Sequence, residues 1–177
     1  YNAQAVVTAD QLIVAADGAT EANDINQLEP MLNQAQAIAE LVMGEDTTLG
    51  VTLADAGYCS EANLAAETDD RELLVATKKD HKQRAAQATA KPPRGRKPKN
   101  MTARQRMDRK LATKRGRNLY KLRGQTVEPV FGQMKDRQAA DRFSMRGLKA
   151  CQGEWKLQAA VHNLRKLHRE SVRKAKK

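Results

Sequence analysis

A mixed α/β fold with helices packed on a sheet is predicted by three features of this 177-residue sequence. Two apolar runs near the start flank a short polar turn, as in a hairpin. An apolar helical repeat follows, and then two more strand-like runs separated by a capped helical segment. The C-terminal part reads as helix alone. Hairpin, helix, strand, helix, strand is the order expected of helices covering a sheet.

Residues 1–8 (YNAQAVVT) form the first expected strand and 11–16 (QLIVAA) the second, with Thr8, Ala9 and Asp10 between them as the turn. Asp17 and Gly18 end the second strand. Asn23 or Asp24 caps a helix that runs to Met43. Its Leu28, Met31, Leu32, Ala35, Ile38, Ala39 and Val42 recur at helical spacing, and Gly44 stops it. Residues 49–54 (LGVTLA) are the third strand and 72–76 (ELLVA) the fourth. Between them Ser60 caps a short helix over 61–69.

The texture changes at residue 78. Residues 91–99 (KPPRGRKPK) have no apolar periodicity, and their prolines favour an extended chain. A basic helix is expected over 102–113. Helical spacing returns near Leu119 and continues to Met134. Pro129 leaves two readings there. Either Thr126 caps a helix with Glu128 in its first turn, or a longer helix from near Arg117 is kinked. A last helix over 147–170 places Leu148, Cys151, Trp155, Leu157, Val161, Leu164 and Leu167 mostly on one side, with a basic opposite side. Trp155 is read as a core anchor and His162 as a packing or capping residue. The chain thus divides into an acidic core (1–77), a basic flexible insertion (78–116) and a helical remainder (117–177).

Charge follows that division. The net charge is +11, but residues 1–77 carry −13 and residues 78–177 carry +24. A basic half beside an acidic half predicts a polyanionic partner, or else a solvated basic tail. Cationic segments also meet acidic membranes, but none here combines a basic helix face with large apolar anchors. Nucleic acid is therefore the better match. No apolar run approaches the length of a membrane span. Aromatics make up only 3% of residues and alanine much of the apolar remainder, so the expected core is thin. Cys59 and Cys151 form no metal-ligand or disulfide pattern, so a reducing, intracellular setting is the default.

Two carboxylates stand where chemistry is expected. Asp55 ends a buried-looking strand, and Gly57 permits a sharp exit. The carboxyl ends of strands are where ligands and metals bind in α/β sheets, although a strand-end Asp can also simply cap a turn. Glu128 and Lys135 lie seven residues apart, on one face of a helix, able to address a metal and a phosphate respectively. The plainer reading is a solvent-exposed helix with scattered charges. Arg142 and Arg146 precede the basic last helix and could grip phosphates.

The combination resembles DDE transposases of bacterial insertion sequences. The matching pieces are residues 1–4 (YNAQ), 55–63 (DAGYCSEAN), 128–135 (EPVFGQMK), Arg142-Phe143 with 146–148 (RGL), and 163–167 (NLRKL). The resemblance implies a ribonuclease-H-like mixed sheet flanked by helices, truncated at its N-terminus. It makes Asp55 and Glu128 the second and third carboxylates of a catalytic, metal-binding triad. The first is then expected on a strand before Tyr1, because Asp10 and Asp17 qualify by composition only. The family pattern of Tyr, two residues, Arg, three residues, Glu, six residues, Lys is nearly met by Tyr120, Arg123, Glu128 and Lys135, which depart from it by one additional residue between Arg123 and Glu128. Tyr120, Arg123, Lys135, Arg142 and Arg146 become DNA-contacting residues. Mg²⁺ or Mn²⁺ is the implied cofactor. Transposon ends and target DNA are the implied partners, bound by a homodimer in the bacterial cytoplasm with the nucleoid. The implied activity is metal-dependent strand cleavage and transfer, silent in a fragment. The alternative is a non-catalytic DNA-binding remnant of a decayed element.

Overall fold

The computed structural model describes residues 1–96 and 98–176, without the side chains of His81, Arg84 and Ala88. Lys97, within the proline-containing stretch 91–99, and Lys177 lie outside the described residues. The elements run β1 (Asn2–Val7), β2 (Ile13–Ala19), α1 (Leu28–Met43), β3 (Gly50–Ala54), α2 (Glu61–Ala65), β4 (Arg71–Val75), α3 (His81–Thr89), α4 (Ala103–Leu111), α5 (Lys114–Gln138) and α6 (Leu148–Ala175). Single 3-10 turns form at Ile25–Gln27 and Ala56–Tyr58. The fold is mixed α/β. Among the described residues its strands pair as two two-stranded ladders rather than one continuous sheet. β1 and β2 are antiparallel, and β3 and β4 are parallel. A parallel pair needs a crossover, and the stretch holding α2 supplies it.

The chain forms two compact units. The first contains Tyr1–Ala22, Met31–Ile38 and the segment from Gly124 onward. The second contains Asn23–Pro30 and Ala39–Arg123.

In the first unit the hairpin turns at Gln11, whose φ of 63° is left-handed. Gln11 is also the unit's polar hub. Its carbonyl lies 3.0 Å from His162 Nε2, and its Oε1 accepts from Lys166 Nζ at 3.0 Å. Its Nε2 donates to Gln125 O at 3.1 Å. That last bond accounts for Pro129. A proline lacks the N–H that would bond the carbonyl four residues back, which here is that of Gln125. With a side chain taking that carbonyl, α5 runs unbroken through Pro129, as the longer of the two expected helices.

Ile13, Ala16, Val130, Met134, Trp155 and Ala159 form the core of this unit. Trp155 is the expected anchor. It stacks on Phe131 at 5.9 Å and donates to Gln4 O at 2.7 Å. Asn163 acts as a strand surrogate: Oδ1 accepts from Ile13 N at 2.8 Å and Nδ2 donates to Ile13 O at 2.7 Å. These contacts fix which face of α6 is inside. Cys151, Trp155, Ala159 and His162 are buried, whereas Leu157, Leu164 and Leu167 are exposed. The single apolar side expected of this helix is therefore two faces. The indole and the polar partners of β2 select the one carrying Trp155.

In the second unit Leu73, Leu74 and Val75 of β4 are fully buried, and Met107 and Leu111 of α4 are buried as well. The region 78–116 departs from a flexible reading. Asp80 caps α3 by accepting from Gln83 N at 2.9 Å. α4 starts with a capping box of Thr102 and Gln105, and the Glu61 carboxylate accepts from Ala103 N at 3.0 Å. Glu72 anchors a charge network, with Arg115 Nη1 and Nη2 at 2.6 and 2.7 Å and Lys110 Nζ at 3.1 Å. Glu67 also pairs with Lys110. Gly116, in the first turn of α5, packs under the Lys110 carbonyl, where a Cβ would lie only 2.1 Å from that oxygen.

Candidate active site and basic surface

Asp55 sits directly after β3, as the sequence predicts. Its Oδ1 accepts from Gly57 N at 2.9 Å, which caps the turn Ala56–Tyr58. Its Oδ2 accepts from Arg123 Nη2 at 3.1 Å. Tyr120, one turn earlier on α5, donates its hydroxyl to Ala54 O at 3.2 Å. Residues three apart share a helix face, so Tyr120 and Arg123 together clamp the carboxyl end of β3. Of the residues assigned to chemistry or DNA, these three meet in the second unit.

The surroundings add a carboxylate that sequence reasoning treated only as a helix cap. A Cβ at Gly57 would lie 2.6 Å from Asp24 Oδ2 and 3.0 Å from Asp55 Oδ1. The missing side chain thus leaves room for two carboxylates. Asn63 fixes the turns that carry them, donating from Nδ2 to Ile25 O at 2.7 Å and Tyr58 O at 2.8 Å. Ser60 caps α2 as expected, accepting from Asn63 N at 3.1 Å. Burial raises the Tyr58 phenol above its ordinary pKa, and the carboxylates of Asp24 and Asp55 add to the effect. Nothing in residues 20–30 signals this neighbourhood, because it arises from a long-range contact.

Glu128 and Lys135 lie in the first unit on the later part of α5. Both are exposed, and the Glu128 carboxylate lies over Gly124, one turn back. Arg142 and Arg146 are exposed on the connection between α5 and α6. Glu154 organises that connection from α6. Its carboxylate accepts from Ser144 N at 2.9 Å and Met145 N at 3.0 Å. The Ser144 bond and then the Met145 bond hold its pKa below the ordinary carboxylate value.

The oxygen donors near Asp55 are of the hard type that divalent cations take, but only two carboxylates supply them. A partly exposed carboxylate oxygen already draws a cationic group, and a second carboxylate flanks Gly57. Among the described residues, no group of three or more His, Cys, Asp and Glu side chains is gathered, and no helix is long and apolar enough to cross a membrane.

The family model described as transposase DDE domain matches residues 77–168, just over half of the chain. The matched stretch includes Tyr120, Arg123, Glu128, Lys135, Arg142 and Arg146, and Asp55 precedes it. No curated protein and no solved structure matches the chain.

Proposed function

We propose, because this chain belongs to the transposase DDE domain family, that it serves DNA strand cleavage and transfer through Asp55 and Glu128. The family implies DNA as the partner. One observation carries the catalytic reading. Asp55 stands at the carboxyl end of a strand in a parallel pair, with Oδ1 fixed by a backbone N–H and Oδ2 turned to a cation. That is where α/β folds place ligand-binding groups.

The assigned fold is ribonuclease-H-like, supported by an antiparallel hairpin followed by a parallel β–α–β crossover. Residues 1–77 form its partial core, 78–116 a basic insertion, and 117–177 the helical part carrying Glu128. Asp55 and Glu128, with a further carboxylate, supply hard oxygen ligands for Mg²⁺ or Mn²⁺. When bound, such ions supply Lewis acidity for in-line displacement at a phosphodiester. Tyr120 holds the end of β3 in place, and Arg123 balances the Asp55 charge until DNA brings phosphates. Lys135, Arg142 and Arg146 grip the strand backbone, which positions it without reading its sequence. Two copies on DNA would handle two transposon ends.

The test is Mg²⁺-dependent strand cleavage and transfer by the intact enzyme. Asp55→Asn and Glu128→Gln should each abolish activity while leaving DNA affinity intact or slightly higher. A second reading, a non-catalytic DNA-binding remnant, draws on the Asp55–Arg123 ion pair, which satisfies the carboxylate without a metal. Activity that survives both substitutions would refute the catalytic assignment.

A further inference from the structure

The proline-rich stretch after α3 is held to the second unit by its backbone. Arg117 of α5 donates from Nη2 to Ala90 O at 2.7 Å. Arg109 of α4 donates from Nη2 to Arg94 O at 3.2 Å and Gly95 O at 2.6 Å. The carbonyls of Ala90, Arg94 and Gly95 are thus engaged, while the side chains of Arg94 and Arg96 are exposed. Pro92, Pro93 and Pro98 lack N–H groups and keep the flanks out of helix. Gly95 has a φ of 82°, and a Cβ there would meet nothing within 4 Å. Conformation rather than crowding therefore calls for glycine.

We propose that the Arg94-Gly95-Arg96 bend is a minor-groove arm that recognises A·T-rich duplex DNA. The B-form minor groove is only about 6 Å wide, too narrow for a helix. A bend with no central side chain, flanked by two guanidinium groups, is slim enough to enter it. A·T tracts narrow the groove further and deepen its negative potential, which draws inserted arginines. G·C pairs place the guanine amino group on the groove floor, where it obstructs a cationic edge. A clamp on phosphates alone would use the same charges but would have no need of a left-handed glycine. The arm goes beyond the catalytic reading and does not depend on Asp55 or Glu128.

Fluorescence anisotropy tests it with the full chain and two duplexes of equal length at one salt concentration. One duplex has a central A·T tract and the other only G·C pairs. The wild type should bind the A·T duplex about tenfold more tightly. The minor-groove ligand netropsin should displace it from that duplex. The double variant Arg94→Gln, Arg96→Gln should lose affinity and preference. Gly95→Ala, which changes no charge, should lose the preference while circular dichroism shows an unchanged fold. Equal affinity for both duplexes, binding unaffected by netropsin, or a preference retained by Gly95→Ala would each overturn the proposal.

Discussion

Arg123 Nη2 lies 3.1 Å from Asp55 Oδ2, so the carboxylate at the end of β3 is matched by a guanidinium from α5. The Arg123 side chain is 22% exposed and that of Asp55 37%. The pair is therefore partly screened, and it sits where a ligand can reach it.

A cation paired with a metal-binding carboxylate competes with the metal. Arg123→Gln should raise Mn²⁺ affinity about fivefold, the equivalent of roughly 1 kcal/mol for a partly exposed ion pair. The same change should weaken DNA binding, since it removes a phosphate-binding group. Electron paramagnetic resonance of free Mn²⁺ and anisotropy on duplex DNA would measure the two effects. A variant with lowered Mn²⁺ affinity would show that Arg123 supports the metal site instead of competing for it.

Glu154 holds the connection bearing Arg142 and Arg146 through the amides of Ser144 and Met145. Glu154→Gln should speed hydrogen exchange at those two amides and lower DNA affinity, leaving α6 helical. Because its folded pKa is depressed, the contribution of Glu154 is present above the ordinary carboxylate pKa and lost as pH falls through the depressed value. Protection of the two amides, taken relative to their intrinsic exchange rate at each pH, should fall in the same acidic range. Protection unchanged by the substitution would remove Glu154 from this role.

Glu72 sets an acid limit on the second unit. The Arg115 hydrogen bonds, helped by Lys110, lower its pKa from 4.5 to about 2. The stability it contributes is therefore complete above pH 4.5 and lost as pH falls towards 2. Glu72→Gln should cost on the order of 1 kcal/mol at neutral pH, given its partial exposure. Its acid denaturation curve should be flatter than that of the wild type below pH 4.5. Parallel curves for the two proteins would rule out this network as the source of acid sensitivity.

Gln11 and Pro129 should be energetically coupled. Gln11→Ala keeps the left-handed strain but leaves the Gln125 carbonyl without its side-chain donor, at about 1 kcal/mol. Pro129→Ala restores a helical N–H for that carbonyl, so the loss on removing Gln11 should shrink in its presence. A double-mutant cycle by urea denaturation reads the coupling directly. Additive costs would mean that the Gln11 side chain acts only through Lys166.

Local chemistry was legible in the sequence and long-range choices were not. The hairpin turn, the stop at Gly44, the Ser60 cap and the strand-end position of Asp55 each depend on neighbours in sequence. Trp155 was legible because so large an apolar side chain has few alternatives to burial. The inward face of α6 was ambiguous because Leu157, Leu164 and Leu167 repeat at helical spacing as well as Cys151, Trp155, Ala159 and His162 do. Asn163 and Trp155 decide it through strand partners some 150 positions away, a separation of 151 for the indole bond. α3 was missed because its composition is polar and its signal reduces to the Asp80 cap. The approach of Asp24 to Asp55 and the clamp of Arg123 on Asp55 are tertiary contacts with no periodic signature.

The most direct test of the central claim is calorimetric titration of Mn²⁺ into the chain and its Asp55→Asn and Glu128→Gln variants. The catalytic reading expects saturable binding by the wild type and at least about tenfold weaker binding by each variant, since each removes one charged oxygen ligand. DNA affinity should be retained in all three. Wild-type Mn²⁺ binding that both variants reproduce would contradict the assignment of Asp55 and Glu128 as the metal-holding pair.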